Sequence, residues 1–429
     1  MHKADTKVFV FKVAILAFIV RMAIGIAYYN IFISDLKRPL YAFDGEFFSI
    51  MGWYIALVLK GINVLQLPSV FVPNDYTAIG GLFIIIADFH GNLPNIMLQY
   101  GVGLYAYLIG IFYYIFGYAP VLLRCFHSGL AVASAFIVYD IAKGFFSETV
   151  ARVSFVMTLF MPLALVYSAS LQRDTLVNFV ILSAVWGVLN VRRDGWARSI
   201  AALAVSAISL ILLYFLRVHA FLVLAVFVAS YLYVKALYAF RFATAGLTAL
   251  AAAVPQAWST ALHFMESKIT LMLTYHLQLS YLGGFTFRIL PERYYKFEEM
   301  VSAYFRPAIS WPDMAAGYLS GLKTFFLEPS PLSIYKVRHL LAMPEMAIWY
   351  LVVLFAAFGV YGMLKSLTAE KAALLLLAVL FASAIGLSEA NAETLMRHRY
   401  MITPIFIIFA ARGMEVVRAM ASGEGDIKR

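Results

Sequence analysis

Two carboxylates one residue apart, Asp44 and Glu46 in Tyr41-Ala-Phe-Asp-Gly-Glu-Phe-Phe, stand out in a chain with only 13% charged residues. They follow the first long apolar run and precede a stretch patterned as a helix lying along a membrane. One of the two can take a proton from an attacking hydroxyl while the other holds a ligand or a metal. The plainer use of Asp44 is to cap the helix that begins there. A further acid, Asp174, closes Tyr167-Ser-Ala-Ser-Leu-Gln-Arg-Asp beside Arg173. A local ion pair or a helix cap competes with chemistry at that position. Arg124, Arg217 with His219, and Arg397 and Arg399 stand at the ends of other apolar runs. A guanidinium presents a fork of donors matched to phosphate, so several converging at one level would hold a lipid phosphate. Ordinary contacts with lipid headgroups are the alternative.

The elements that must position these residues are membrane helices. A chain of 429 residues that is 63% hydrophobic cannot be covered by a soluble surface. Its apolar stretches are near the length that crosses a hydrocarbon core and are separated by short basic clusters, which predicts a helical bundle and not a barrel. The formal charge of +10 comes mostly from Lys and Arg flanking apolar runs, where they orient helices, so no nucleic-acid partner is expected. The single cysteine, Cys125, lies within an apolar run and excludes an internal disulfide. The N-terminal run reads as a retained first span and not a cleaved signal.

Spans are predicted at 8–30, 121–142, 149–168, 175–191, 199–216, 218–234, 242–257, 344–364, 372–387 and 400–411, a bundle of about 10 helices (about 9–12). With the N-terminus inside, sixteen Lys and Arg fall at cytoplasmic ends, from Lys3 to Arg429, against Arg173, Arg217, Arg397 and Arg399 in the short external turns. This sets both termini in the cytoplasm. Residues 99–118 and the run Gly80–Phe89 are apolar but would invert every later loop if they crossed, so they read as interfacial or re-entrant. External loop one then spans about residues 34–120, inside a transmembrane module 1–257. A second external loop, 258–343, is punctuated by Pro291, Pro307, Pro312, Pro329 and Pro331, and 344–429 holds the last spans and a cytoplasmic tail.

Four stretches together resemble the GT-C superfamily, polytopic glycosyltransferases that take sugars from lipid-linked donors, among them the dolichyl-phosphate-mannose protein mannosyltransferases. They are Phe43-Asp-Gly-Glu-Phe-Phe; Phe116-Gly-Tyr-Ala-Pro-Val-Leu-Leu-Arg124 with Tyr139-Asp-Ile-Ala-Lys-Gly-Phe-Phe; Tyr167-Ser-Ala-Ser-Leu-Gln-Arg-Asp174; and Arg397-His-Arg-Tyr-Met-Ile-Thr-Pro404. The resemblance implies an all-α GT-C-like bundle with two large external loops. It also implies Asp44 as catalytic base or orienter, Asp174 as the second acid and Arg124 as a lipid-phosphate ligand. Many members of the superfamily have Asp and Glu adjacent, whereas Gly45 separates them here, which leaves the part played by Glu46 open. Phe325-Phe-Leu-Glu-Pro-Ser-Pro, Met343-Pro-Glu and Glu389-Ala-Asn-Ala-Glu-Thr-Leu-Met-Arg-His-Arg look like bacterial members associated with surface polysaccharides.

The implied reaction moves a sugar from a polyprenyl-phosphate donor to a glycan, lipid or protein acceptor, with inversion, on the external face of a bacterial inner membrane. Arg124, Arg173, Arg217, His219, Arg397 and Arg399 are the candidate phosphate ligands. A monophosphate donor needs no metal; a pyrophosphate donor makes Asp44 and Asp174 ligands for a divalent cation such as Mg or Mn. Two rivals remain: a polysaccharide polymerase or ligase, and a lipid-linked sugar flippase or transporter. A transporter would have broken helices near the midplane and an inverted repeat. The sequence shows no repeat, and Arg21 is its one mid-span charge.

Overall fold

A computed structural model describes residues 3–30, 43–62, 103–191, 195–239, 310–333, 337–389 and 392–422, with isolated positions at 259, 263, 266 and 267. Every regular element among them is helical. That is the expected outcome for apolar runs in lipid, where each backbone N–H and C=O must find its partner within the segment. The helices are α1 (Lys3–Tyr28), α2 (Phe43–Leu59), α3 (Gly103–Phe116), α4 (Pro120–Phe145), α5 (Glu148–Phe160), α6 (Pro162–Ala169) and α7 (Arg173–Leu189). They continue as α8 (Trp196–Leu216), α9 (Val218–Ala239), α10 (Trp311–Leu327), α11 (Val337–Leu364), α12 (Ala369–Ser388), α13 (Ala392–Tyr400) and α14 (Thr403–Ala421).

Among the described residues, 6 helices are long and apolar enough to cross a membrane, or up to 8 if each of two bent pairs counts as one span. The expected span 149–168 is one of those pairs. It breaks at Met161, and α5 and α6 meet at 49°, because Pro162 lacks an N–H and its ring collides with the preceding turn. The other pair is α13 and α14, bent by 63° ahead of Pro404. The expected span 175–191 is α7, at 17 residues. Residues 242–257 and 80–89 lie outside the described residues. The segment 99–118 contains α3, a 14-residue helix paired with α2. In the second loop, α10 starts after Ser310, whose hydroxyl accepts from the Asp313 amide, with Pro312 in the first turn.

The chain divides into two compact units, Met1–Asp140 with Phe155–Leu222, and Ile141–Ser154 with Val223–Arg429. In the first, α1 packs on α6, α2 on α3 and α7 on α8. A Cβ at Gly52 would collide with Ile109, and one at Gly110 with Ile55, so α2 and α3 cross at van der Waals range. In the second, α11 packs on α14 and α10 on α12. Gly359 and Gly413 lie directly against the Phe409 and Phe355 carbonyls. Lipid tails are as apolar as leucine, so such close packing, and not burial from water, holds the helices together. Large apolar side chains face outward along α1 (Phe11, Ile15, Ile19), α8 (Ile208, Ile211) and α11 (Leu351, Leu354), as a lipid-facing surface requires.

The inside-versus-outside expectation is open to a direct test at exposed positions near opposite ends of helices. In a Cys125→Ser chain, His219→Cys should react with an impermeant thiol reagent added outside intact cells, and Lys143→Cys should react only after permeabilisation. The reverse pattern would invert the orientation.

Candidate functional site

The site begins with a backbone problem. Helix α6 ends at Ala169 and α7 begins at Arg173, so the turn between them, Ser170-Leu171-Gln172, carries carbonyls and amides that neither helix satisfies. At a protein surface water would meet them. Here Ser170 and Leu171 are 0% exposed and Gln172 is 1% exposed, so other helices supply the partners. Arg124 of α4, itself buried, donates from Nε to the Ala169 carbonyl at 2.9 Å and from Nη1 to the Pro120 carbonyl at 3.2 Å. Its guanidinium lies 5.0 Å from the Tyr29 ring centre. Tyr105 of α3 donates its hydroxyl proton to the Leu171 carbonyl at 2.7 Å, and its oxygen lies 2.9 Å from His127 Nε2. The tyrosine has one proton and directs it at Leu171, so His127 donates from Nε2 and keeps Nδ1 as an acceptor. Leu171 adopts φ 54°, a left-handed conformation that costs a non-glycine residue about 1–2 kcal/mol. These bonds help to hold it.

The far end of α6 is fixed by Arg21 of α1. Fully buried, it donates to the carbonyls of Leu159 (2.5 Å) and Ala164 (2.6 Å) and to Ser168 Oγ (2.7 Å). The bent α5–α6 pair is thus held across its break by one buried arginine and at its C-terminal end by another. The sequence flagged Arg21 only as an oddity, although a charge inside a span was the available signal. Tyr105 and His127 carried no signal, since their pairing depends on how α3 and α4 meet.

Helix α2 begins on this same turn. A Cβ at Gly45 would collide with the Ser170 carbonyl oxygen and would lie 3.0 Å from Ser170 C and 3.1 Å from Leu171 C. The glycine between Asp44 and Glu46 therefore has a steric reason: no other residue lets the helix start seat against the turn. The backbone of the Asp44–Glu46 segment is brought there, while both carboxylate side chains lie outside the described residues. Phe48, one turn further along α2, meets Tyr105 edge-on at 5.0 Å. Arg173 stacks over the Phe48 ring at 5.7 Å.

Asp174, in the first turn of α7, is 0% exposed. Arg217, at the end of α8, donates from Nη1 to its Oδ1 at 2.6 Å. Two candidates read separately from the sequence therefore form one buried ion pair. The α7 N-terminus adds its own positive dipole to the same carboxylate. His219 follows two residues later and is exposed. Arg397 and Arg399 belong to the other compact unit. There Arg399 is buried against Trp349 (5.0 Å) and Phe325 (5.6 Å), and donates to Met346 Sδ at 3.2 Å and to the Glu328 carbonyl. Its neighbour His398 pairs with the buried Glu389, and Arg397 is half-buried on the same helix.

Among the described residues no three His, Cys, Asp or Glu gather to hold a metal ion. In chemical terms, the described residues of the first unit offer a buried carboxylate held by a guanidinium, a stacked arginine and a helix start that carries two more acids. No protein-family model matches the chain, and neither a curated protein nor a solved structure matches it.

The seating of α2 makes Gly45→Ala a discriminating substitution. Overpacking a backbone contact costs about 1–3 kcal/mol, so the detergent-purified protein should melt at a lower temperature. Gly129→Ala, where a Cβ would meet nothing within 4 Å, should not lower it. Equal melting of Gly45→Ala and wild type would contradict the contact.

Proposed function

We propose that this chain is a membrane glycosyltransferase that moves a sugar from a polyprenyl-phosphate-linked donor to an acceptor hydroxyl on the external face, with inversion. The observation that carries the reading is the seat of Gly45 on the α6–α7 turn. It supports the reading by bringing the backbone that carries Asp44 and Glu46 to the turn that leads into Arg173 and Asp174, far apart in sequence.

In the proposed reaction Asp44 accepts the proton of the acceptor hydroxyl. The oxygen's electron pair forms the new bond to the anomeric carbon while the bond from that carbon to the phosphate oxygen breaks, and its electrons leave with the lipid phosphate. Arg173 is the proposed stabiliser of the growing charge on that phosphate, assisted by His219. Asp174 is assigned to the ring side, where positive charge develops, and Arg217 fixes its position through their ion pair. Arg124 is assigned to bracing the turn, since two of its nitrogens are committed to main-chain carbonyls. With a pyrophosphate donor, Asp44 and Asp174 are the proposed holders of a divalent cation that neutralises the leaving group. The acceptor, a glycan, lipid or protein, approaches from outside.

A second reading has its own observation. Each of the two bent helix pairs has a buried arginine at or near its break, Arg21 reaching the first from α1 and Arg399 within the second, and broken helices of this kind serve transporters. On that reading the chain flips a lipid-linked sugar without cleaving it.

Asp44→Asn separates the two. In proteoliposomes supplied with polyprenyl-phosphate sugars and an acceptor extract, the variant should insert normally and lose transfer by about 10²–10⁴-fold. Transfer retained within about threefold, less than roughly 1 kcal/mol of barrier, would return Asp44 to a helix cap. Donor translocation in a wild type that shows no transfer would favour the flippase.

A further inference from the structure

The α6–α7 turn carries more polar side-chain atoms than its neighbours satisfy. Ser170 Oγ, Gln172 Oε1 and Thr175 Oγ1 are buried and have no hydrogen-bond partner among the described residues. Gln172 and Thr175 stand at the N-cap and the third residue of α7. Side chains at those two positions ordinarily turn back onto a helix's first amides. Neither does so here: the α7 N-terminus has no side-chain cap, and the Thr175 amide bonds instead to the Gln172 carbonyl at 3.3 Å. A fourth atom lies on α4, on the imidazole that Tyr105 links to the turn. His127 Nδ1, left as an acceptor by the bond from Nε2, is likewise buried without a partner among the described residues.

A buried polar atom without a partner lowers stability, and natural proteins keep few of them. Two on the turn, one in the first turn of α7 and one on the α4 imidazole bonded to Tyr105 call for a shared explanation. Their chemistry narrows it. Two are hydroxyls, able to give and to accept; the other two, an amide oxygen and an imine nitrogen, can only accept. Pure acceptors repel a phosphate oxygen and favour an O–H group. The stacked Arg173 guanidinium, by contrast, suits an anion and lies on the α2 side of the turn, over Phe48.

We infer that Ser170, Gln172 and Thr175, with His127, form a hydroxyl-binding subsite that takes the sugar ring of the lipid-linked donor. This inference rests on the proposed transferase reading and adds to it where the ring, as distinct from the phosphate, is recognised. The subsite sits beside Asp174, so it holds the ring next to the carboxylate proposed for its charged face. Ordered water offers the same O–H chemistry and is the competing source.

Apolar isosteres tell these apart, because replacing an unpartnered polar atom by carbon of the same shape is neutral or stabilising to the protein alone. Full-length wild type, Thr175→Val and Gln172→Met in detergent would be titrated, by thermal shift, with decyl phosphate and with decyl-phosphate-linked glucose, galactose and mannose. Wild type should bind at least one decyl phosphohexose more tightly than decyl phosphate. Each variant should melt at or above the wild-type temperature when alone and keep its decyl phosphate affinity. Each should lose about tenfold in affinity for that hexose compound. Hexose preference kept in both variants would assign the atoms to ordered water and overturn the subsite. A lowered melting temperature of the variants alone would show that the atoms have protein partners, with the same consequence. Equal wild-type binding of decyl phosphate and all three hexose compounds would overturn the subsite while sparing the lipid-phosphate reading. No response to any of the four compounds would overturn both.

Discussion

A polar turn enclosed by apolar helices must find partners for its main chain inside the protein, and most of the first unit is arranged around that requirement. The carbonyls of Ala169 and Leu171 each accept a hydrogen bond from a different helix, and that of Ser170 between them packs against a third. Ala169 receives Arg124 from α4, Ser170 meets the start of α2 at Gly45, and Leu171 receives Tyr105 from α3. The left-handed backbone at Leu171 is what turns the chain from α6 into α7 over so few residues. Asp174 and Arg173 follow immediately, so their positions are fixed by the same three contacts. Chemistry at this locus would inherit its geometry from the turn.

Buried arginines recur as the means of closing helix ends. Arg21 serves carbonyls on either side of the break at Met161, Arg124 the end of α6, and, within the second unit, Arg399 the carbonyl of Glu328 at the end of α10. A central charge in a membrane helix costs about 2.5–3.5 kcal/mol on insertion scales. An unmet buried carbonyl costs a comparable amount, so a guanidinium set against two or three carbonyls offsets both penalties at once. This gives Arg124 a physical role that needs no phosphate. It also explains why a cation there can stand against the positive-inside bias. Arg173 is set over an aromatic face, the ring of Phe48.

Helical class and the approximate limits of most spans were legible in the sequence because apolar run length maps directly onto hydrocarbon thickness. The break at Met161 was available in principle from Pro162, but a proline inside an apolar run kinks some membrane helices and is absorbed by others. Of the site, the types and order of Asp44, Asp174 and Arg217 could be read, yet not that Asp174 and Arg217 face each other, since that depends on the crossing of α7 and α8. Gly45 read as an interruption of an acidic pair. Its reason is a contact with a residue more than a third of the way along the chain, which no local pattern encodes. The Tyr105–His127–Leu171 chain was invisible for the same reason.

The contact between the start of α2 and the α6–α7 turn can be tested in native membranes, without any assumption about substrate. Phe48 would be replaced by p-benzoylphenylalanine, which keeps the aromatic ring, and irradiated, with the cross-linked peptides identified by mass spectrometry. The ring sits between Tyr105 and Arg173, so cross-links should fall on α3 around residue 105 and on the segment around residues 171–174. Cross-links confined to other helices, or to lipid alone, would contradict the arrangement on which the whole account depends.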